Sequence, residues 1–227
     1  MTNSKNEFGF FKWNGYILQF KLFLVMATFF IIFQQELLVN FRHLGKILAN
    51  FLFFLIFVSS FFILAQNQQN QAFDTSIIIW LSLLSCLIFS ASEFLKKDFD
   101  GGIIEQILLS CENFEIFILA KMLANWLVCC VPILCAVFFI RPESDFLILI
   151  FLASIAINFI CCFCGSLSIL GNSAPIIAVI ALPLIIPILL LSYGDFFVSL
   201  KILAGLVIFL GATLVFATAK IVKIAGE

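Results

Sequence analysis

Between Glu93 and Glu115 the chain carries its densest set of groups suited to directed work. Asp98 and Asp100 precede Gly101-Gly102, and Glu105 and Gln106 are then interleaved with Ile103, Ile104, Ile107 and Leu108. Paired glycines permit a sharp turn that other residues resist. Ile103/Ile107 and Ile104/Leu108 are each four apart, so a short helix here is apolar on one side while Glu105 and Gln106 face elsewhere. A helix of that kind lying across a membrane surface can enter a groove on a cytoplasmic partner. It can also be a plain surface turn whose apolar side touches lipid, and the residues alone leave both readings open.

The remaining chemistry is sparse. His43 is the only histidine, and a lone histidine among basic residues reads as a headgroup contact; one imidazole cannot furnish a bis-histidine site. Of the eight cysteines, seven lie inside apolar runs, and Cys161-Cys162-Phe163-Cys164 lacks the Cys-x-x-Cys spacing of a metal site. They read as small hydrophobes packed between helices, so no metal site and no bound cofactor are expected. Lys121 lies a turn or two inside an apolar run, where an ionisable group is costly unless it snorkels or pairs. It either reaches back to headgroups or forms a structural ion pair with Glu93, Glu112 or Glu115. No Walker A loop, His-Glu-x-x-His or Gly-x-Ser-x-Gly occurs, so the chain has no means of hydrolysing ATP unaided.

The elements that must position these groups are helices in lipid. The chain is 64% hydrophobic and 11% charged, against about 45–50% and about 25% in soluble domains, which leaves too little polar surface for a water-soluble globule. A net charge of −1 offers no field for nucleic acid. A bilayer core needs roughly 20 apolar residues per helix. Six stretches qualify, at approximately 47–65, 75–92, 116–140, 146–170, 174–192 and 199–219. The expected fold is all-α and polytopic: a six-span domain over 47–220, a short helix between spans two and three, and a tail over 221–227. Residues 34–46 read as an amphipathic helix in the interface, with Leu37, Phe41 and Leu44 on one face and Glu36, Arg42 and His43 among its polar groups. Residues 1–33 form an N-terminal extension, with a seventh span at roughly 16–33 as the alternative.

Arg42, Lys46, Lys96, Lys97, Lys220 and Lys223 fall on one side, with Lys121 near it; the other holds Arg141 and Lys201. The excess of cations marks the cytoplasmic side, so both termini are expected there. Pro183 and Pro187, four apart in the fifth span, remove backbone hydrogen bonds and mark a kink or hinge. Asn125 and Asn158 lie within spans and are suited to hydrogen bonds between helices. Trp80 and Trp126 are packing residues or interface anchors.

The segment EFLKKDFDGGIIEQILLSCENFEIFILAKMLANWLV (93–128) resembles the signature region of the cytochrome c maturation protein B family, the haem-exporter permeases of ABC systems. The matching pieces are the Phe94–Asp98 stretch, the Asp100-Gly101-x-x-x-Glu105-Gln106-x-Leu108 core, and Leu119-Ala120-Lys121 with Trp126 beyond. Glu36-Leu37 with Phe41-Arg42-His43 is similar to the family's N-terminal elbow, and Pro183 with Pro187 to a late span. The resemblance covers about 34–220. Family members begin about ten residues before the elbow, which here falls at Met26, so Met26 is an alternative start.

The resemblance implies a multi-pass permease of a bacterial inner membrane, required for haem export or delivery in c-type cytochrome biogenesis. It implies a separate cytoplasmic ATPase gripping a coupling helix at Asp98, Asp100, Gly101, Gly102, Glu105, Gln106 and Leu108. It also implies a haem-handling membrane protein, a haem chaperone, a homodimer within the complex, and haem as cargo rather than as a cofactor of this chain. The alternatives are an ABC permease for a lipid, drug or polysaccharide, and a membrane scaffold with no transport cycle.

Overall fold

The computed structural model describes residues 23, 25–42, 44–67, 75–91, 94–110, 113–171, 175–192 and 194–225. Among these the elements are all helical: α1 (Val25–Arg42), α2 (Leu44–Asn67), α3 (Thr75–Ala91), α4 (Lys96–Asp100), α5 (Ile103–Ser110), α6 (Phe114–Ile140), α7 (Ser144–Gly171), α8 (Pro175–Leu191) and α9 (Phe196–Ala225). The six long apolar runs coincide with α2, α3, α6, α7, α8 and α9. The α6–α7 break falls at Arg141-Pro142-Glu143, where proline cannot continue the helix.

Among the described residues four stretches are long and apolar enough to cross a membrane: Ser76–Asp100, Phe114–Ile140, Ser144–Ile169 and Phe196–Ala225. α1 and α2 satisfy the same criteria as one pair bent by 69°, which makes five, and the apolar part of α8, Val179–Leu191, is shorter. The chain is a multi-pass membrane protein, and a count of six crossings rests on treating α8 as a full span.

The N-terminal part departs from expectation. The helix expected over 34–46 begins earlier and ends sooner: α1 runs from Val25 to Arg42 before the bend into α2. Residues 25–42 contain no glycine or proline to interrupt the helix. Ile32 packs against the core and Glu36 is part-buried, while Phe41, on the face expected to lie in the membrane interface, is exposed. His43 and the span alternative's residues 16–22 lie outside the described residues.

Contacts between helix ends give the bundle its sense. Lys223 Nζ lies 3.1 Å from Glu115 Oε1, joining the end of α9 to the start of α6. Arg141 donates to Ser76, joining the end of α6 to the start of α3. α6 is therefore antiparallel to both, with α4 and α5 at the Glu115–Lys223 end. α7 is central and packs against α3, α6, α8 and α9. Its crossing with α3 depends on Gly165: a Cβ there would sit 2.3 Å from the Ala91 carbonyl oxygen. The larger core includes Phe54, Leu83, Ile133, Ile150, Ile157 and Ile185. A second core at the α4 end includes Phe94, Leu95, Ile104, Phe117, Met122 and Val222, and it seats the short helices on the bundle.

Candidate functional site

α4 and α5 are joined by the glycine pair. The Gly101 amide donates to the Lys97 carbonyl at 3.0 Å and the Gly102 amide to the Phe99 carbonyl at 3.1 Å, closing α4. Gly102 then takes φ = 68°, a left-handed conformation costing roughly 1–2 kcal/mol for a residue with a Cβ. The turn thus needs glycine at 102 on conformational grounds.

The apolar side of α5 is already occupied. Ile104 is buried in the second core, and Ile107 and Leu108 pack partly against it. The sequence pattern identifies this side but not its partner, and the partner is the bundle itself. Asp100, Gly101, Glu105, Gln106 and Leu109 remain on the outer edge, with Leu109 91% exposed, while the half-exposed Ile103 lines a cavity together with Ile107 and Asp98. The outward surface is therefore acidic with an isolated apolar residue, and Leu108 belongs to the anchored side.

Asp98 points the other way, into the bundle. Lys121 Nζ lies 2.5 Å from Asp98 Oδ2 and 2.9 and 3.0 Å from the two oxygens of Glu36. It also sits 5.7 Å from the centre of the Phe117 ring. The Lys121 side chain is only 9% exposed, against 18% for Glu36 and 22% for Asp98. This corrects both expectations for Lys121 that the described residues can test: it does not reach out to headgroups, and Glu115 is engaged by Lys223 instead. Glu93 and Glu112 lie outside the described residues. Beside this triad is a cavity of about 530 Å³ bounded by Ile32, Glu36, Asp98, Phe117, Lys121 and Asn125.

Deeper in the bundle the triad gives way to a seam of neutral polar groups. Lys121, Asn125 and Cys129 are spaced by four on α6, so they line one face of it and descend about 12 Å over eight residues. Asn125 Nδ2 donates to Asn158 Oδ1 at 3.1 Å, and Asn158 Nδ2 to the Met122 carbonyl at 3.0 Å. Ser90 Oγ lies 3.3 Å from Asn125 Oδ1 and 3.0 Å from Cys129 Sγ, and Asn50 donates to the same sulfur at 3.6 Å. The expected pairing of in-span asparagines is present, now with Ser90, Asn50 and Cys129 added.

The other expected groups fall as follows. Among the described cysteines only Cys135 is exposed. Among the described residues no cluster of three or more His, Cys, Asp or Glu could hold a metal ion. Arg42 is exposed. Pro183 and Pro187 sit on the exposed face of α8, which is one helix through both. Trp126 donates to Ser154 at 3.0 Å and Trp80 stacks edge-on against Phe146, so both are packing residues.

Comparison with known proteins adds a family. A family model described as CcmB protein matches residues 27–225. Heme exporter protein B of Escherichia coli (strain K12) is 32% identical over 108 residues, 47% of this chain and 49% of that protein. Heme exporter protein B of Pseudomonas aeruginosa is 31% identical over 102 residues, 44% of this chain and 45% of that protein. The Haemophilus influenzae protein of that name is 26% identical over 104 residues, 45% of this chain and 47% of that protein. By these matches the chain spans about half the length of the curated relatives it matches. The family match takes in α2 to α9 together with Glu36, the glycine turn and Lys121, and on that extent the chain belongs to the CcmB protein family.

Proposed function

We propose that the chain is the permease subunit of an ABC-type complex serving haem export or delivery in c-type cytochrome biogenesis, with α4–Gly101-Gly102–α5 as the element that a separate cytoplasmic ATPase grips. Membership of the CcmB protein family and relatives named Heme exporter protein B support the pathway. One observation carries the coupling role: α5 is anchored to the bundle by Ile104 while Asp100, Glu105 and Leu109 face outward. A short helix seated in this way passes a push on its outer edge to the spans behind it. The outer edge calls for a partner groove with basic rims and a small apolar pocket.

In this reading α8 completes six crossings, and both termini and the coupling element lie on the cytoplasmic side. Lys96, Lys97, Lys220 and Lys223 at that end, against Arg141 and Lys201 at the other, support the orientation. Haem is cargo of the assembly, which holds two permease and two ATPase copies beside a haem-handling membrane protein and a haem chaperone.

Deletion of the gene tests the pathway: c-type cytochromes should disappear while b-type cytochromes remain. Normal c-type cytochromes in the deletion strain would refute it. Complementation with Glu105→Lys tests the coupling element, and should restore neither c-type cytochromes nor ATPase co-purification, while the variant protein accumulates in the membrane at the wild-type level.

A further inference from the structure

Three elements far apart in sequence meet at one ammonium. Glu36 lies on α1, Asp98 on α4, and Lys121 on α6, 85 residues beyond Glu36. An ammonium has three donors and is a compact charge. Here they are divided between Glu36, which accepts through both oxygens, and Asp98. We propose that Lys121 is a positioning residue that makes α1, α4 and α6 move as one unit, so that a displacement of the α4–α5 element reaches the elbow helix and the third apolar span together.

Two further features fit a moving joint. The cavity of about 530 Å³ is bounded by all three members of the triad, so the joined helices have free volume beside them into which to shift. The double partnership ties the ammonium, only 9% exposed, to α1 and α4 at once. A pull on α4 therefore reaches α6 through Asp98 and α1 through Glu36. Asp98 lies three residues before Gly101, on the bundle side of the left-handed turn at Gly102, while Glu105 lies beyond it. The turn therefore separates the segment held by Lys121 from the segment facing a partner.

This inference rests on the coupling role proposed above, but its test does not need the partner. Spin labels introduced as encoded side chains at the exposed positions 34 and 96 report the α1–α4 distance in the full chain in lipid nanodiscs, without using the native thiols. Wild type and Lys121→Arg should give the same narrow distribution. Lys121→Met should broaden it at least twofold and reduce c-type cytochromes at least tenfold in cells. Because Lys121→Met leaves two carboxylates facing each other and can fail to fold, the neutral set Glu36→Gln/Asp98→Asn/Lys121→Met is measured beside it. That set should fold, keep the broad distribution and remain deficient in cytochromes. A wild-type distribution with wild-type cytochromes in the neutral set would overturn the proposal, because the triad would then serve only to neutralise a buried charge. Failure of the wild-type chain to co-purify an ATPase would count against the coupling role alone, since the distance comparison would still decide for or against Lys121.

Discussion

Asp98 and Glu36 share one cation, so their removal should be strongly non-additive. Glu36→Gln leaves Lys121 with Asp98 at 2.5 Å and an amide oxygen in place of the carboxylate. The loss is the difference between a charged and a neutral hydrogen bond, about 1 kcal/mol. Asp98→Asn should cost about the same, because Glu36 still holds the ammonium through both oxygens. The double variant is different. It leaves an ammonium at 9% exposure with no counter-charge, and breaking a buried pair in this way costs about 3–5 kcal/mol. Against about 2 kcal/mol for the two singles, the coupling energy is about 1–3 kcal/mol, within the range found for residues of one network. Equilibrium unfolding in mixed detergent micelles, followed by circular dichroism, measures all four corners of the cycle. Additivity within about 0.5 kcal/mol, the behaviour of independent sites, would refute the shared-cation geometry.

Three other perturbations follow from particular contacts. Gly102→Ala should lower unfolding stability by about 1–2 kcal/mol because φ is 68° there, and Gly102→Asn should recover part of it; equal stability of all three would contradict the left-handed turn. Gly165→Ala puts a Cβ 2.3 Å from the Ala91 carbonyl oxygen, so α3 and α7 must separate at a cost of about 1–3 kcal/mol, read as a lower unfolding midpoint. Asn158→Leu removes the bonds to Asn125 and the Met122 carbonyl and should cost about 0.6–2 kcal/mol in the same assay, with no change in the expected orientation of the termini.

The long helices were legible because lipid demands apolar helical runs, and the runs read from the sequence coincide with α2, α3 and α6–α9, of which fewer than six are long and apolar enough to cross a membrane by themselves. The glycine turn was legible because adjacent glycines between polar segments have few other uses. The partners of Lys121 were not. A lysine at the entrance of a span asks for a carboxylate, but nothing in its spacing selects Glu36, 85 residues upstream, over acids close in sequence. The amphipathic pattern of α5 had a similar limit: it separated Ile104 and Leu108 from Glu105 without saying whether bundle or partner would cover them. The stretch before Gln34 was read as part of an extension or of a seventh span over 16–33, and from Val25 onward its residues extend α1, since none of them is glycine or proline. Asn50, Ser90 and Cys129 carry no signal as single residues in apolar helices, and only the fold brings them to Asn125.

The most direct test of the coupling account places a photoreactive amino acid at Leu109, the most exposed apolar residue of α5, in cells carrying the intact complex. Illumination should join the chain to its cytoplasmic nucleotide-binding ATPase, and the same group placed at the exposed Phe139, at the other end of α6, should not. Cross-linking of Leu109 to a periplasmic protein, or capture of the ATPase from Phe139 instead, would contradict it.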